Sequence, residues 1–368
     1  MSSATTPDYI VCTGEFIQEW MDDTGTNAAE LARRLDVSRK HVSELLSGKA
    51  ALSHPLALAL ERVTGVPARI WNQYEAGYRS DLARHQEDAV LLAQYERATE
   101  FPLSYLRQHG HVSAPSSDRA GTVRQLLSLF QVADFEALTN TWRHGSVMYR
   151  RSAAGKEHST KLMTWLALAE RQHDASADLP PFDRSGLKQL LPRLRALTTE
   201  EPATAINEAI TALSTVGVAL CIVPAIPGLG MYGATRWLNG RPLIQLSLLQ
   251  KTDDQFWFTL FHELGHVQLH KQRELYLFGD QTPAEDEADR FASDLLIPPA
   301  YADRIPRRRD LAAVVSLAEE LGIAPSIVLG RTQRETGDFA WGHSLKRTVR
   351  YEPTCHRPPQ AQTGRSSS

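Results

Sequence analysis

Phe261-His262-Glu263-Leu264-Gly265-His266 is followed, nineteen residues after its last histidine, by Glu285 and then by Asp289. On a helix His262 and His266 lie one turn apart and project from the same face, at a spacing that suits two imidazole ligands on one Zn²⁺. Glu263 sits beside them, where a carboxylate can take a proton from an activated water and hand it to a leaving amine. The reading is metal-assisted peptide hydrolysis, and the fold has to supply a helix here and a third ligand from elsewhere.

The flanking residues predict that helix. Thr252 and Gln255 have the spacing of a capping box, Asp253 and Asp254 fall in the first turn, and Trp257, Leu260, Phe261 and Leu264 recur as a buried stripe. The short apolar run from Pro242 to Leu249 predicts a preceding strand; resemblance to zinc proteases of this class, rather than the run itself, implies that substrate lies along Leu243 to Leu248. A second helix is expected from about Thr282 to a stop at Pro298 and Pro299, burying Ala288, Phe291, Ala292, Leu295 and Leu296. Glu285 and Asp289 share its other face. Glu285 is assigned as the third ligand, with Glu287 as the alternative, and Asp289 as an acceptor that orients a ligating histidine; which histidine is open. His270, one turn beyond His266, is given no role.

Residues 26–70 read as a different kind of unit. Ala28, Leu31, Ala32 and Leu35 form one stripe, Asp36 and Val37 a short turn, and Ser38 caps a second helix in which Val42, Leu45 and Leu46 face inward and Gly48 ends the run. Two short helices joined this way make a helix-turn-helix, with Gly14 to Met21 and Pro55 to Val63 completing the bundle. The second helix would present Arg39, Lys40, His41 and Ser43 to base edges, with Ser47 and Lys49 near the phosphate backbone. Residues 26–80 carry eight Lys or Arg against five Asp or Glu. That surplus permits binding to double-stranded DNA without forcing it, and useful affinity calls for a homodimer or a second contact. Glu44 on the exposed side leaves open a bundle that only docks or dimerises.

A chain of 368 residues with 42% hydrophobic content and net charge -3 exceeds one core and excludes wholesale disorder. The expected division is a helix-turn-helix domain at 1–80, a helical extension and linker at 81–119 with its loosest part at His109 to Arg119, a metallopeptidase domain at 120–350, and a disordered tail at 351–368. Residues 1–10 are expected to be loose. The longest apolar stretch, Val216 to Gly233, is broken by Pro224, Pro227, Gly228 and Gly230, and reads as a strand, Val218 to Val223, plus a glycine-rich hairpin rather than a membrane span or a phosphate loop. Cys12, Cys221 and Cys355 form no ligand cluster or disulfide framework; no signal peptide is evident, and the expected setting is soluble and cytoplasmic. Leu311 to Leu321 and Pro325 to Arg334 are expected to pack on the catalytic core, with Arg307, Arg308 and Arg309 on a solvated face.

From about Gly121 to Arg350 the chain resembles the ImmA/IrrE metallo-endopeptidases, in the longer form that carries an N-terminal regulator domain. The resemblance is carried by Val123 to Phe135, Tyr149 to Ser152, Trp165-Leu166, Gly217-Val218, Gly233 to Leu238, Phe256 to His270, Glu285 to Pro298, and Leu321 to Gln333. Tyr149 and Thr332 depart from the family pattern. The N-terminal bundle with Ile70-Trp71-Asn72-Gln73-Tyr74 resembles HigA-like regulators of the XRE type. The likeness implies a gluzincin-like site in which His262, His266 and Glu285 bind zinc, replaceable by Mn²⁺, and Glu263 is the general base. It also implies cytoplasmic cleavage of a DNA-binding repressor in response to stress or mobile-element induction.

The expected fold class is α+β and mainly helical: a helix-turn-helix bundle plus a metallopeptidase domain with a small mixed or antiparallel sheet. The expected function is a zinc endopeptidase that acts on a transcriptional repressor and is targeted or regulated through its helix-turn-helix. The alternative is a DNA-binding, antitoxin-like regulator whose metallopeptidase-like domain acts as a sensor.

Overall fold

The computed structural model describes residues 11–144, 156–174, 179–270, 272, 275–278 and 282–351. The expected loose N-terminus, the Tyr149 to Ser152 segment, Cys355 and all of the expected tail beyond Tyr351 lie outside these residues. The chain divides into two compact units, one of residues 1–96 and 114–124 and the other of residues 97–113 and 125–368. Among the described residues no helix is long and apolar enough to cross a membrane.

The first unit is the helical bundle: α1 (Thr13–Thr24), α2 (Ala28–Leu35), α3 (Arg39–Leu46), α4 (His54–Thr64) and α5 (Ala68–Ala93). Side-chain caps start the short helices. Asn27 accepts from the Glu30 amide, Ser38 from His41 and Ser53 from Leu56. Ile17, Leu31, Val42, Leu45, Leu60 and Trp71 close over one core. The α2-turn-α3 pair is the expected helix-turn-helix, turned at Asp36 in a left-handed conformation. Helix α5 runs unbroken through residue 80.

Helices α6 (Tyr95–Ala98), α7 (Leu103–Gln108), α8 (Arg119–Phe130), α9 (Phe135–His144), α10 (Lys156–Asp174), α11 (Arg184–Ala196) and α12 (Pro202–Ser214) lead to a mixed sheet. Its strands are β1 (Ala219–Ile222), β2 (Gly233–Leu238), β3 (Arg241–Leu246) and β4 (Tyr276–Leu277), in the order β1-β3-β2-β4. β3 runs parallel to β1 and antiparallel to β2, and β2 is antiparallel to β4. The period-two alternation splits the sheet into two buried faces. Cys221, Arg236 and Gln245 face α10: Gln245 donates to the Trp165 carbonyl at 2.6 Å, and Arg236 bonds the Glu170 carboxylate and the Leu166 carbonyl. Leu220, Ile222, Ile244 and Leu246 join the main core on the other face.

That core is covered by α13 (Asp253–Leu269), which packs across β2 and β3, and by α14 (Pro283–Leu296), α15 (Leu311–Leu321) and α16 (Pro325–Thr336). The last two pack on this core, as expected. Arg307 and Arg308 are exposed, and Arg309 pairs with Asp338.

Three expectations are corrected. The glycine-rich segment is not a hairpin, because it joins β1 to β2, which are not neighbours. The hairpin joins β2 to β3 through Asn239-Gly240, both at positive φ, with Leu238 opposite Arg241. That pair is the two-residue turn whose twist matches the strands it connects. Second, β3 has partners on both sides, so Leu243 to Leu246, the part of the expected Leu243 to Leu248 stretch that lies in the strand, offer no free edge to a substrate. Third, Thr252 makes no side-chain cap on α13, and its hydroxyl has no partner among the described residues. Asp253 anchors the helix start instead. Its fully buried carboxylate accepts from the Asp254 and Arg347 amides, from Ser326 Oγ at 2.8 Å and from Arg347 Nε at 2.7 Å.

Candidate metal centre

Two helices carry the cluster. Helix α13 supplies His262 and His266 one turn apart, and α14 crosses it so closely that a side chain at Gly265 would put a Cβ 3.1 Å from Ala288 Cα. That approach places Glu285, in the first turn of α14, between the two imidazoles. His262 Nε2 lies 3.1 Å from His266 Nε2 and 3.2 Å from Glu285 Oε2, and His266 Nε2 lies 3.0 Å from Glu285 Oε1. A tetrahedral ion with bonds of about 2.05 Å holds neighbouring donors roughly 3.3 Å apart, so this triangle has the right size for a zinc-like cation. All three residues are buried, and their donor atoms suit a divalent metal ion.

Each imidazole is braced at its other nitrogen. Asp289 Oδ1 lies 2.8 Å from His262 Nδ1, and Asp289 Oδ2 accepts from Arg334 at 2.9 Å. This contact answers which histidine Asp289 meets, and turns His262 Nε2 toward the cluster. His266 Nδ1 lies 2.9 Å from His270 Nδ1, and His270 Nε2 lies 3.2 Å from Glu287. The alternative ligand Glu287 therefore meets His270 rather than the cluster. Tyr276 of β4 stacks on His266 at 4.3 Å between ring centres, and Phe278 lies against His262 at 4.5 Å.

Glu263 is fully buried and held against the sheet. Thr235 Oγ1 on β2 donates to Glu263 Oε2 at 2.7 Å, while Oε1 has no partner among the described residues. Gly233 lies alongside, where a Cβ would come within 2.4 Å of Oε1. Sequence reasoning missed both residues, as well as the bracing by His270, Tyr276 and Arg334. A helix period shows neighbours along α13, but nothing local to residues 233–235 shows that β2 runs beneath it.

The electrostatics are those of a crowded anionic site seeking a cation. Burial lifts Glu263 to about 8 even though His262 and the Thr235 hydroxyl favour its ionised form. Burial would also lift Glu285, but hydrogen bonds and charge from His262 and His266 bring it down to about 2. Burial would push His262 down, yet Asp289, Glu285 and Glu263 raise it to about 9. For His266 burial wins, lowering it despite its bond to Glu285.

A cavity of about 620 Å³ opens over the cluster, lined by Tyr232, Phe258, His262, Phe278, Glu285 and Arg334 among others. Glu263 is not part of its lining.

In the bundle, Arg39, Lys40, Ser43, Ser47 and Lys49 are exposed and His41 is half-buried, all on or just after α3. Lys40 lies 3.7 Å from Glu44, so part of its charge is answered within the helix, and Ser47 Oγ donates to the Glu44 carbonyl. The six residues form one accessible stretch at a helix-turn-helix.

Comparison with known families matches two regions. Residues 17–71 match the helix-turn-helix family, and residues 224–332 match the IrrE N-terminal-like domain. A stretch of 58 residues is 36% identical to YddM of Escherichia coli (strain K12), described as an uncharacterized HTH-type transcriptional regulator. The match covers 16% of this chain and 62% of that protein. The chain thus joins an N-terminal helix-turn-helix domain to an IrrE-like peptidase domain with a buried His-His-Glu cluster.

Proposed function

We propose that this chain is a zinc-dependent endopeptidase that cleaves a DNA-binding repressor and is brought to its target, or restrained, by its helix-turn-helix domain. His262, His266 and Glu285 hold Zn²⁺, or Mn²⁺ in its place; when bound, the ion polarises the scissile carbonyl and acidifies the attacking water. Glu263 receives that water's proton at Oε1 and returns it to the leaving amine, while Thr235 holds the other carboxylate oxygen. Asp289 and His270 keep both imidazoles aimed at the cluster. The substrate strand lies toward β4 rather than β3, since β3 is paired on both sides. Arg39, Lys40, His41, Ser43, Ser47 and Lys49 contact double-stranded DNA, most effectively in a homodimer, and the setting is the cytoplasm.

The observation that carries this reading is a buried carboxylate with one oxygen tied and the other without a partner among the described residues, beside a triangle of donors of metal-binding size. The test is cleavage of repressors encoded near this gene by metal-loaded protein, comparing wild type with Glu263→Gln at equal metal content. Cleavage by wild type alone supports the reading. Cleavage that survives the substitution sinks the role of Glu263.

One observation favours the regulator whose peptidase-like domain acts as a sensor: Glu263 is wholly buried and lies outside the lining of the cleft. Operator binding that responds to metal and is unchanged by Glu263→Gln, with no proteolysis, would favour that second reading.

A further inference from the structure

A second cavity, of about 590 Å³, adjoins the cleft over the cluster. Gln255, Phe258 and Arg334 line both. Phe258 presents its ring between them, and the Arg334 guanidinium lies over that ring at 5.4 Å. The two spaces therefore share a sill made of one aromatic face and one guanidinium.

The wall of the second cavity mixes apolar side chains with uncharged polar ones, and its charged residues are paired. Leu296, Ile297 and Ile327 are buried side chains in its wall, and Phe339 stands at its mouth 59% exposed, a large ring left in water. Each charge around it is already answered: Lys346 by Asp254 at 2.7 Å, Arg331 by Glu335 at 2.7 Å, and Arg334 by Asp289 at 2.9 Å. An anionic occupant would find each cation in these pairs already engaged and would lose hydration, Asp254 Oδ1 being the one buried carboxylate oxygen of these pairs left without a partner among the described residues, whereas bulky uncharged side chains would bury apolar surface. The space corresponds to roughly twenty waters at ~30 Å³ each, enough for more than one large side chain.

Its distance from the cluster sets the register. Phe258 and Asp254 lie four and eight residues before His262 on α13, or about 6 and 12 Å along the helix axis at ~1.5 Å per residue. An extended chain advances about 3.3 Å per residue. A peptide crossing the cluster would reach this cavity two to four residues from the bond being cleaved.

We propose that this cavity is an anchoring subsite for a substrate segment carrying large uncharged apolar side chains, such as Leu, Ile, Met or Phe, two to four residues to one side of the scissile bond. The inference rests on the peptidase reading and narrows its substrates to polypeptides with an apolar cluster beside the cleavage point. Phe258 and Phe339 then determine specificity without touching the reacting atoms.

The test separates the subsite from the chemistry. Full-length, zinc-loaded protein carrying Glu263→Gln is titrated against two fluorescein-labelled alanine-based octapeptides, one with a Leu-Phe pair near one end and one with Ser-Ser there. The Leu-Phe peptide is expected to bind at least about tenfold tighter. Phe339→Asp at the exposed mouth, and Ser293→Phe inside the cavity, should each bring the two peptides within about twofold of one another. Melting temperature and metal affinity report whether each variant is intact, and Phe339→Asp stands alone should Ser293→Phe fail to fold. Equal binding of the two peptides, or a preference that survives in every folded variant, overturns the subsite. Wild-type protein is then given the same peptides and a proteome-derived peptide mixture. Cleavage with no apolar enrichment two to four residues from the bond overturns the subsite and leaves the peptidase standing. Preferential binding with no cleavage upholds an apolar-segment site and sinks the proteolytic reading alone.

Discussion

Replacing Asp289 should weaken metal binding by an amount the structure bounds. The contact is a carboxylate 2.8 Å from the Nδ1 of a buried imidazole, and hydrogen bonds of this charge-assisted kind contribute about 1.5–3 kcal/mol. Asp289 is about one-third exposed and also shared with Arg334, so solvent screening argues for the lower half of that range. A loss of roughly 1.5–2 kcal/mol corresponds to a ~10–30-fold rise in the metal dissociation constant for Asp289→Ala. Asp289→Asn keeps an acceptor for Nδ1 and gives up the charge, and should fall between wild type and Ala. The brace on the other histidine provides an internal comparison. Glu287 is more than half exposed and 3.2 Å from His270, so Glu287→Gln should cost no more than about fivefold. Chelator competition with Zn²⁺ measures all three without any substrate. A dissociation constant for Asp289→Ala within twofold of wild type, in a protein whose melting temperature is unchanged, would refute the bracing argument. So would a Glu287→Gln loss as large as that of Asp289→Ala, because burial would then not govern the effect.

Thr235→Val removes the hydroxyl that holds Glu263 and keeps the shape of the side chain. Turnover should fall about 10–100-fold while metal affinity stays put, and Thr235→Ser should restore it; steady-state kinetics with chelator competition decide the matter. Gly233→Ala forces a Cβ against Glu263 Oε1 and Thr259 Cγ2, so it should abolish turnover and cost about 1–3 kcal/mol in denaturant unfolding. Cys221 is buried against the Ala169 carbonyl, with its thiol pushed up to about 12. Site-resolved mass spectrometry should find it unalkylated by iodoacetamide in native protein near pH 8 and modified after unfolding. Lys49→Gln should weaken DNA binding across sequences and lower the slope of log affinity against log salt by roughly one, whereas Arg39→Gln should relax sequence preference, both read by fluorescence anisotropy across salt concentrations.

What the sequence makes legible is what its local periods encode. The second helix of the helix-turn-helix starts at Ser38, whose side chain acts within three residues of itself, and that cap appears in the structure, as do local caps at Asn27 and Ser53 that the sequence reading did not name. Likewise one turn of helix separates His262 from His266, and another separates Glu285 from Asp289. The errors arise where the partner is distant. Thr252 and Gln255 satisfy the capping pattern, yet Asp253 finds Ser326 and Arg347, more than seventy residues away, and the stronger buried contacts set the helix start. Asn239-Gly240 is itself a local turn signal, whereas the segment with more glycines has no pair of adjacent strands to join. β3 reads as a substrate strand because its residues are apolar, a property that equally marks a strand buried between two neighbours.

The same division runs through the candidate site and gives it a separable design. The helices α13 and α14 carry the donor triangle and the Asp289 brace, whose spacing is visible as a helical period, and the His270 brace follows directly after α13. The sheet carries what positions Glu263: Thr235 holds one oxygen of its carboxylate, and Gly233 leaves room for the other. Neither sheet residue belongs to the donor triangle, and among the described residues Asp289 and Glu287 bond the imidazoles of His262 and His270 rather than Glu263. Substitutions in β2 should therefore change turnover at constant metal affinity, and substitutions in the braces should change metal affinity with turnover following occupancy. If saturating Zn²⁺ restores Asp289→Ala to wild-type turnover and leaves Thr235→Val impaired, holding the metal and positioning the base are independent tasks of two structural layers. Equal rescue of both variants by metal would mean that the sheet acts through the triangle, and Glu263 would then have to be reassigned from proton carrier to support of the ligand set.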